Sequence, residues 1–321
     1  MKAIVSTAYG SPEVLQLREV KTPVPTENEI LIRIHATSVS SGDVRIRKAD
    51  PYAVRFVYGF RKPKNDILGY AFAGEIEAMG KNVKRFKVGD QVFGSAGMHM
   101  GAYAEYVCLP EDGVLAMKPK NMSYAEAAAI PFGGNTALYF LRKAEIKNGQ
   151  KVLIYGASSA IGTIAVQLAK YFGAEVTGVC SSANLDMVLS LGADKVIDYT
   201  KVDFSKSGET YDVIFDTVGK SSFSGSIKSL KKNSFYLKTV HMDLSSIFRG
   251  IWTSMTSGKK VKGGVTVEKS EDLNFLREII EAGKLKAVID RTYTLEQIPE
   301  AHGYVEKGHK KGNVVITVDH E

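Results

Sequence analysis

Lys151-Val-Leu-Ile-Tyr-Gly-Ala-Ser-Ser-Ala-Ile-Gly162 reads as a short apolar strand that turns through small residues straight into a helix. The helix follows from apolar residues at Ile161, Ile164, Ala165, Leu168, Ala169 and Phe172, the spacing that lines one buried face. Unpaired N–H groups of its first turn and the positive end of its dipole point back at the turn, where an anion such as a pyrophosphate can sit. Counted back from Gly162, the three glycine positions of a dinucleotide fingerprint fall on Ala157, Ser159 and Gly162, so only the last keeps its glycine. Taken alone the motif is weak, and a strand-to-helix connection without a ligand competes with it.

Two other chemistries fit less well. Gly156-Ala-Ser-Ser-Ala160 misses a nucleophile elbow at its last residue, and no acid and histidine follow in hydrolase context. Tyr139 and Lys143 have the Tyr-x-x-x-Lys spacing of one dehydrogenase class but precede the fingerprint instead of following it, so chance spacing on a helix accounts for them.

A chain of 321 residues is long for one core, which favours two domains, and its 44% hydrophobic content is that of an ordinary globular protein. No run approaches the roughly 18 apolar residues of a membrane span. Met1-Lys-Ala-Ile-Val-Ser lacks the layout of a signal peptide, and a cytoplasmic protein is the simplest expectation. Cys108 and Cys180 lie far apart on expected strands, which fits reduced, packed thiols. The net charge of +7 suits an anionic ligand but is spread over the chain. It is denser between Arg45 and Lys64, where Arg45, Arg47, Lys48, Arg55, Arg61, Lys62 and Lys64 face one acid, Asp50, and interleave with Tyr52, Phe56, Tyr58 and Phe60. Such a track can hold single-stranded nucleic acid. A substrate-side loop whose aromatics cover a cleft is the preferred reading.

Residues 1 to about 120 read as short strands broken by glycine and proline, the pattern of a small antiparallel barrel or sandwich. Ile30, Ile32 and Ile34 share one strand face, and 102–109 is a similar segment. Ser123-Tyr-Ala-Glu126 is a capping box opening a helix, and a second helix is expected to end at Gly149. Strands at 151–155, 175–180, 195–198, 212–216, 235–240 and 264–267 then alternate with helices near 161–172, 184–191, 221–231 and 271–282, which implies a parallel sheet covered on both faces. Its functional loops should begin at Tyr155, Cys180, Asp216 and Val240. A strand at 287–293, a helix near 296–307 and a strand at 313–318 close the chain.

From end to end the sequence resembles the medium-chain dehydrogenase/reductase superfamily, in its zinc-free quinone-oxidoreductase-like branch. Among the carriers are Met1-Lys-Ala-Ile-Val, Gly10-Ser-Pro-Glu-Val-Leu15, Val88-Gly-Asp-Gln-Val-Phe-Gly94, Gly101-Ala-Tyr-Ala-Glu-Tyr106, Ala165-Val-Gln-Leu-Ala-Lys170, Leu191-Gly-Ala-Asp194, Val196-Ile-Asp-Tyr199 and Asp212-Val-Ile-Phe-Asp216. The resemblance implies an α/β protein: a GroES-like, β-rich catalytic domain from 1–122 and 287–321, and a Rossmann doubly wound parallel-sheet domain over 123–286, with the active site in the cleft between them. It also implies homodimers and a small-molecule carbonyl or quinone substrate.

Zinc-dependent relatives place a cysteine where this chain has Ser40-Ser-Gly-Asp43, and Gly-His-Glu where it has Gly69-Tyr70-Ala71. The four-cysteine structural lobe is absent too, so no metal is expected. His99 reads as a surface or packed residue. Without a Lewis acid, hydride transfer needs donors that hold the oxygen where negative charge develops. The candidates are Ser40 and Tyr52; Asp43 matches a position near the nicotinamide and would orient them or cap a helix. The branch often carries Asn-Pro where Ser40 and Ser41 stand.

An acid about 20 residues past the glycines would bind the ribose hydroxyls of NAD. Val176 to Leu185 contains none; it offers Ser181, Ser182 and Asn184, with Ala183 in the family's basic slot. Tyr199 and Lys311 match adenosine-side positions, and Thr136, Gly219 and Asn313 match cleft-lining ones. With Ala157, Ser159, Ala160, Ile161 and Gly162 they make the expected site for NADP (NADPH). The leading expectation is an NADPH-dependent, metal-free reductase of quinones or α,β-unsaturated carbonyls. The alternative is a cofactor-binding protein with little turnover that binds single-stranded nucleic acid through 45–64, and a zinc alcohol dehydrogenase ranks last.

Overall fold

The computed structural model describes residues 1–239 and 244–320, and the chain divides into two compact units. The second, Gly133–Glu268 with Lys284–Lys286, carries a wholly parallel sheet. Its order is Lys195–Asp198, Glu175–Cys180, Lys151–Tyr155, Tyr211–Asp216, Leu230–Lys238, Lys260–Gly263, so the winding reverses between Lys151–Tyr155 and Tyr211–Asp216. This is the doubly wound order expected from the alternation. Strand Lys151–Tyr155 is apolar throughout its middle because both its faces are covered: Val152, Leu153 and Ile154 are fully buried. The Leu191-Gly-Ala-Asp194 motif serves this sheet. Asp194 accepts from the N–H of Val176 at 2.7 Å and pairs with Lys170 at 2.8 Å, tying the helix Ala160–Tyr171 to the start of the second strand.

Some boundaries moved. The helix expected to run to Gly149 ends at Lys143, and Gly149 turns the chain with φ 78°. The helix at 221–231 shrinks to Phe223–Lys228 because the strand Leu230–Lys238 begins there. The strand expected at 264–267 lies instead at Lys260–Gly263. A helix not foreseen, Leu244–Thr256, precedes it. The loop expected from Val240 lies outside the described residues.

The first unit comprises Met1–Phe132, Lys269–Gly283 and Ala287–Glu321. Its sheet runs Ile289–Thr294, Asn313–Thr317, Glu29–Val39, Ala71–Met79, Gln91–Ser95, Leu115–Met117, with Tyr106–Pro110 also on Glu29–Val39. All pairs are antiparallel except the first, which is parallel. Ile30, Ile32 and Ile34 are fully buried among Phe72, Val92, Ile298 and Ile316. Ser123 and Glu126 make both bonds of the capping box, and the helix Tyr124–Ala128 packs on Glu29–Val39 and Ala71–Met79. Residues 123–132 therefore fall with the first unit, as does the helix Ser270–Glu281, which packs on Leu115–Met117. Among the described residues no helix is long and apolar enough to cross a membrane.

Candidate active site

The turn after Lys151–Tyr155 is built for close backbone approach. Gly156 takes φ 79°, and a Cβ there would lie 2.7 Å from Val218 Cγ1. A Cβ on Gly162 would lie 2.1 Å from the carbonyl oxygen of Gly156, so the helix start can sit against the turn only with glycine there. Gly156 thus does the turning expected of the first fingerprint glycine, one residue before the Ala157 position. Ser159 caps the helix Ala160–Tyr171 by accepting from the N–H of Gly162 at 2.9 Å. Ala160 and Ile161, both buried, form its first turn. The two loops at the reversal point are joined by Thr217, whose hydroxyl meets Ser159 Oγ at 3.0 Å and donates toward the carbonyls of Tyr155 and Gly156 at 2.9 and 3.1 Å. Asp216, wholly buried, accepts from the N–H groups of Val218, Gly219 and Ser221 at 3.1, 2.7 and 2.9 Å and fixes the loop in which Gly219 takes φ 73°. Sequence reading marked this loop but not the roles of Asp216 and Thr217. The available signal was their place at the end of the fourth strand of the unit.

At the end of the second strand, Asn184 donates to Ser181 Oγ at 3.1 Å and Ser158 Oγ at 3.3 Å. Its Oδ1 is buried without a protein partner. The hydroxyl of Ser182 is engaged by the carboxylate of Asp198, which also accepts from Thr200 N and Oγ1 at 2.9 and 2.7 Å. These bonds, Ser182 first, hold Asp198 down to about 2, and Lys201 stands 3.7 Å away. The expectation of no acid here holds for 176–185 in sequence, yet folding brings one in from the next strand. Tyr199, beside it, is 53% exposed, its ring centroid 6.5 Å from that of Tyr155. Thr136 lies half-buried on the helix Pro131–Lys143. On the same helix Lys143 donates to Tyr139 at 2.6 Å as a surface pair.

In the first unit Ser40 and Asp43 meet at the start of the helix Ser41–Lys48. Ser40 is its N-cap, accepting from Gly42 and Asp43 N–H groups, while Asp43 Oδ2 accepts from Ser40 N at 2.8 Å and Ser40 Oγ at 2.5 Å. Asp43 is 1% exposed, and burial pushes its carboxyl up to about 6 against those bonds. Its Oδ1 is buried without a partner. While Asp43 is ionised, the single hydroxyl proton of Ser40 is committed to it. One helical turn on, fully buried Arg47 bonds Glu306 at 2.5 Å, and buried His302 meets the Tyr103 hydroxyl at 3.1 Å. Burial pushes His302 down to about 3, so it stays neutral. Tyr103 stands in the motif Gly101–Tyr106, which assigns it no role, and its pairing with His302, 199 residues away, has no local signal.

Tyr52, by contrast, is 56% exposed and packs with Phe56 and Phe60. His99 is exposed. Asn313, 4% exposed, donates to the Val288 carbonyl at 3.2 Å. The N–H of Lys311 bonds Asp290 at 3.0 Å, with its side chain in solvent. Among the described residues no three His, Cys, Asp or Glu side chains converge as a metal site. Cys108 and Cys180 are free thiols, half-buried and buried, pushed by burial to about 11.

Residues 26–119 match the alcohol dehydrogenase GroES-like domain, and residues 191–316 match a family described as zinc-binding dehydrogenase. The chain is 33% identical to the 2-methylene-furan-3-one reductase of Solanum lycopersicum, over 98% of its own length and 79% of that protein's. It is 30% identical to the chloroplastic NADPH-dependent alkenal/one oxidoreductase of Arabidopsis thaliana, with the same 98% and 79% coverage. Among solved structures, the quinone oxidoreductase from Coxiella burnetii superposes with a TM-score of 0.91 at 32% identity, covering 99% of both chains.

Proposed function

The chain belongs to the medium-chain dehydrogenase/reductase superfamily of NAD(P)H oxidoreductases, in its quinone-oxidoreductase-like branch, and from that premise we propose that it reduces quinones or α,β-unsaturated carbonyls with NADPH, without a metal. The observation that carries this reading is the turn Gly156–Gly162, where a Cβ at Gly162 would strike backbone and a twelve-residue helix starts against the turn behind a serine cap that takes the Gly162 N–H. Ala160 and Ile161 would meet the pyrophosphate, with Gly156, Ala157, Ser159 and Gly162 shaping the turn against it and Thr217 and Gly219 shaping the adjoining loop. Ser181, Asn184 and Tyr199 would hold the adenosine side, and Thr136, Lys311 and Asn313 complete the assignment. The bound dihydronicotinamide supplies the hydride.

The chain's own part is to hold the substrate oxygen and provide a proton. Ser40 and Tyr52 are the hydroxyls assigned to that oxygen. When Asp43 is protonated it donates to Ser40 Oγ, which turns the Ser40 proton free for the substrate; when ionised it captures that proton. Positions that carry zinc ligands in metal-dependent relatives hold Ser40, Tyr70 and Ala71, none of them suited to zinc. Small-molecule turnover as a homodimer completes the proposal. The test is oxidation of NADPH and NADH by purified protein with a panel of quinones and enones. Turnover with NADPH supports it; binding without turnover across the panel favours the cofactor-binding alternative.

A further inference from the structure

Tyr52, Phe56 and Phe60 meet edge to face in a closed triangle, with ring centroids 6.3, 6.4 and 6.4 Å apart. They are nevertheless 56%, 72% and 62% exposed, and neighbouring Val57 is 47% exposed. Two of the three rings have no polar atom to justify that exposure, so the triangle forms one apolar knob in water. Around it, residues 51–64 contain Arg55, Arg61, Lys62 and Lys64 and no acid. Arg55 lies over the rings of Tyr9 and Tyr52 at 4.8 and 5.0 Å and donates to the Phe60 carbonyl at 3.0 Å, bracing the knob. Lys62 approaches Asp66 only at 3.8 Å with both side chains open to solvent, a pair worth little. The cations of Arg61, Lys62 and Lys64 are exposed beside the knob.

We propose that this knob docks the protein on an anionic phospholipid surface, with Phe56, Val57 and Phe60 entering the interface while Arg61, Lys62 and Lys64 face the lipid phosphates. Apolar rings flanked by basic side chains are the composition that interfacial segments use. A nucleic-acid strand fits the same charge, but lipid fits the knob better: aliphatic Val57, which offers no stacking face, is exposed beside Phe56 and Phe60, and the face of Tyr52 is covered by Arg55. The inference shares Tyr52 with the reductase reading but rests on Phe56, Val57 and Phe60, and its test leaves Tyr52 unaltered and reads binding instead of turnover.

The test is co-sedimentation of the full chain with phosphatidylcholine vesicles and with vesicles containing phosphatidylglycerol. Binding should appear with the anionic vesicles and fall steeply with added salt. Phe56→Ser with Phe60→Ser should weaken it at least about tenfold, and neutralising Arg61, Lys62 and Lys64 to Gln should abolish the preference for anionic lipid. Trp252→Ser, at a 72% exposed tryptophan on the other unit, should leave binding unchanged, and melting curves confirm that each variant is folded. Absence of binding to anionic vesicles, binding lost in Trp252→Ser but kept in the phenylalanine pair, or preferential capture by a single-stranded oligoribonucleotide would each overturn the proposal.

Discussion

The hydroxyl of Ser182 donates to the carboxylate of Asp198, so a hydroxyl that the sequence offered to a 2′-phosphate is spent inside the protein. The carboxylate itself stands where a phosphate would be unwelcome, although Thr200 and Lys201 offset its charge. Asp198→Ala should therefore release Ser182 and strengthen NADPH binding by about tenfold, the size of one charge-assisted contact. Ser181→Asp should do the reverse, weakening NADPH while sparing NADH. Fluorescence titration of both cofactors checks this; equal affinities that neither change moves would mean that the adenosine phosphate lies elsewhere.

Gly162→Ala should lower affinity for NADH and NADPH together. The added methyl meets the Gly156 carbonyl oxygen at 2.1 Å, which is backbone and cannot swing aside. The helix start must move, at a cost of about 1–3 kcal/mol read as a lower melting temperature. A variant that binds both cofactors as well as the wild type would contradict the cradle.

Asp43 should make stability and turnover fall in the same direction with pH. Its carboxyl is raised from 3.8 to about 6 by burial, so the folded state holds the proton more tightly than the unfolded one. Stability contributed by the protonated form is complete below pH 3.8 and is lost as pH rises through about 6. Relative to Asp43→Asn, the wild type should lose on the order of 3 kcal/mol across that window, from about 1.4 kcal/mol per unit. Thermal melts of both proteins from pH 4 to 7 measure it, and kcat/KM should decline over the upper part of the same range. Parallel melting curves would show that Asp43 does not titrate there.

Purified protein should contain no stoichiometric zinc and should keep its activity in chelator, since Ser40, Tyr70 and Ala71 stand where the family resemblance would place zinc ligands. Elemental analysis decides this, and one zinc per chain would refute it.

Period and punctuation made much of the architecture legible. The alternation of Ile30, Ile32 and Ile34, the helical spacing from Ile161 to Phe172, and the capping box at Ser123 each report a local rule that the structure keeps. The misplaced strand at 260–263 shows the limit. Lys260-Val-Lys-Gly carries little apolar signal, because an edge strand needs only one neighbour and one covered face.

Sequence alone determined the parallel sheet of the second unit, the turn after Lys151–Tyr155 and the helix that follows it, because these depend on residues close together in the chain. Tertiary structure decided what the site chemistry is. It brought Asp198 from the third strand against Ser182 of the second, set Thr217 between two loops 62 residues apart, and buried Asp43 deeply enough to raise its proton affinity. Proton affinity and hydrogen-bond availability depend on desolvation and on partners distant in sequence, and both exist only once the chain has folded.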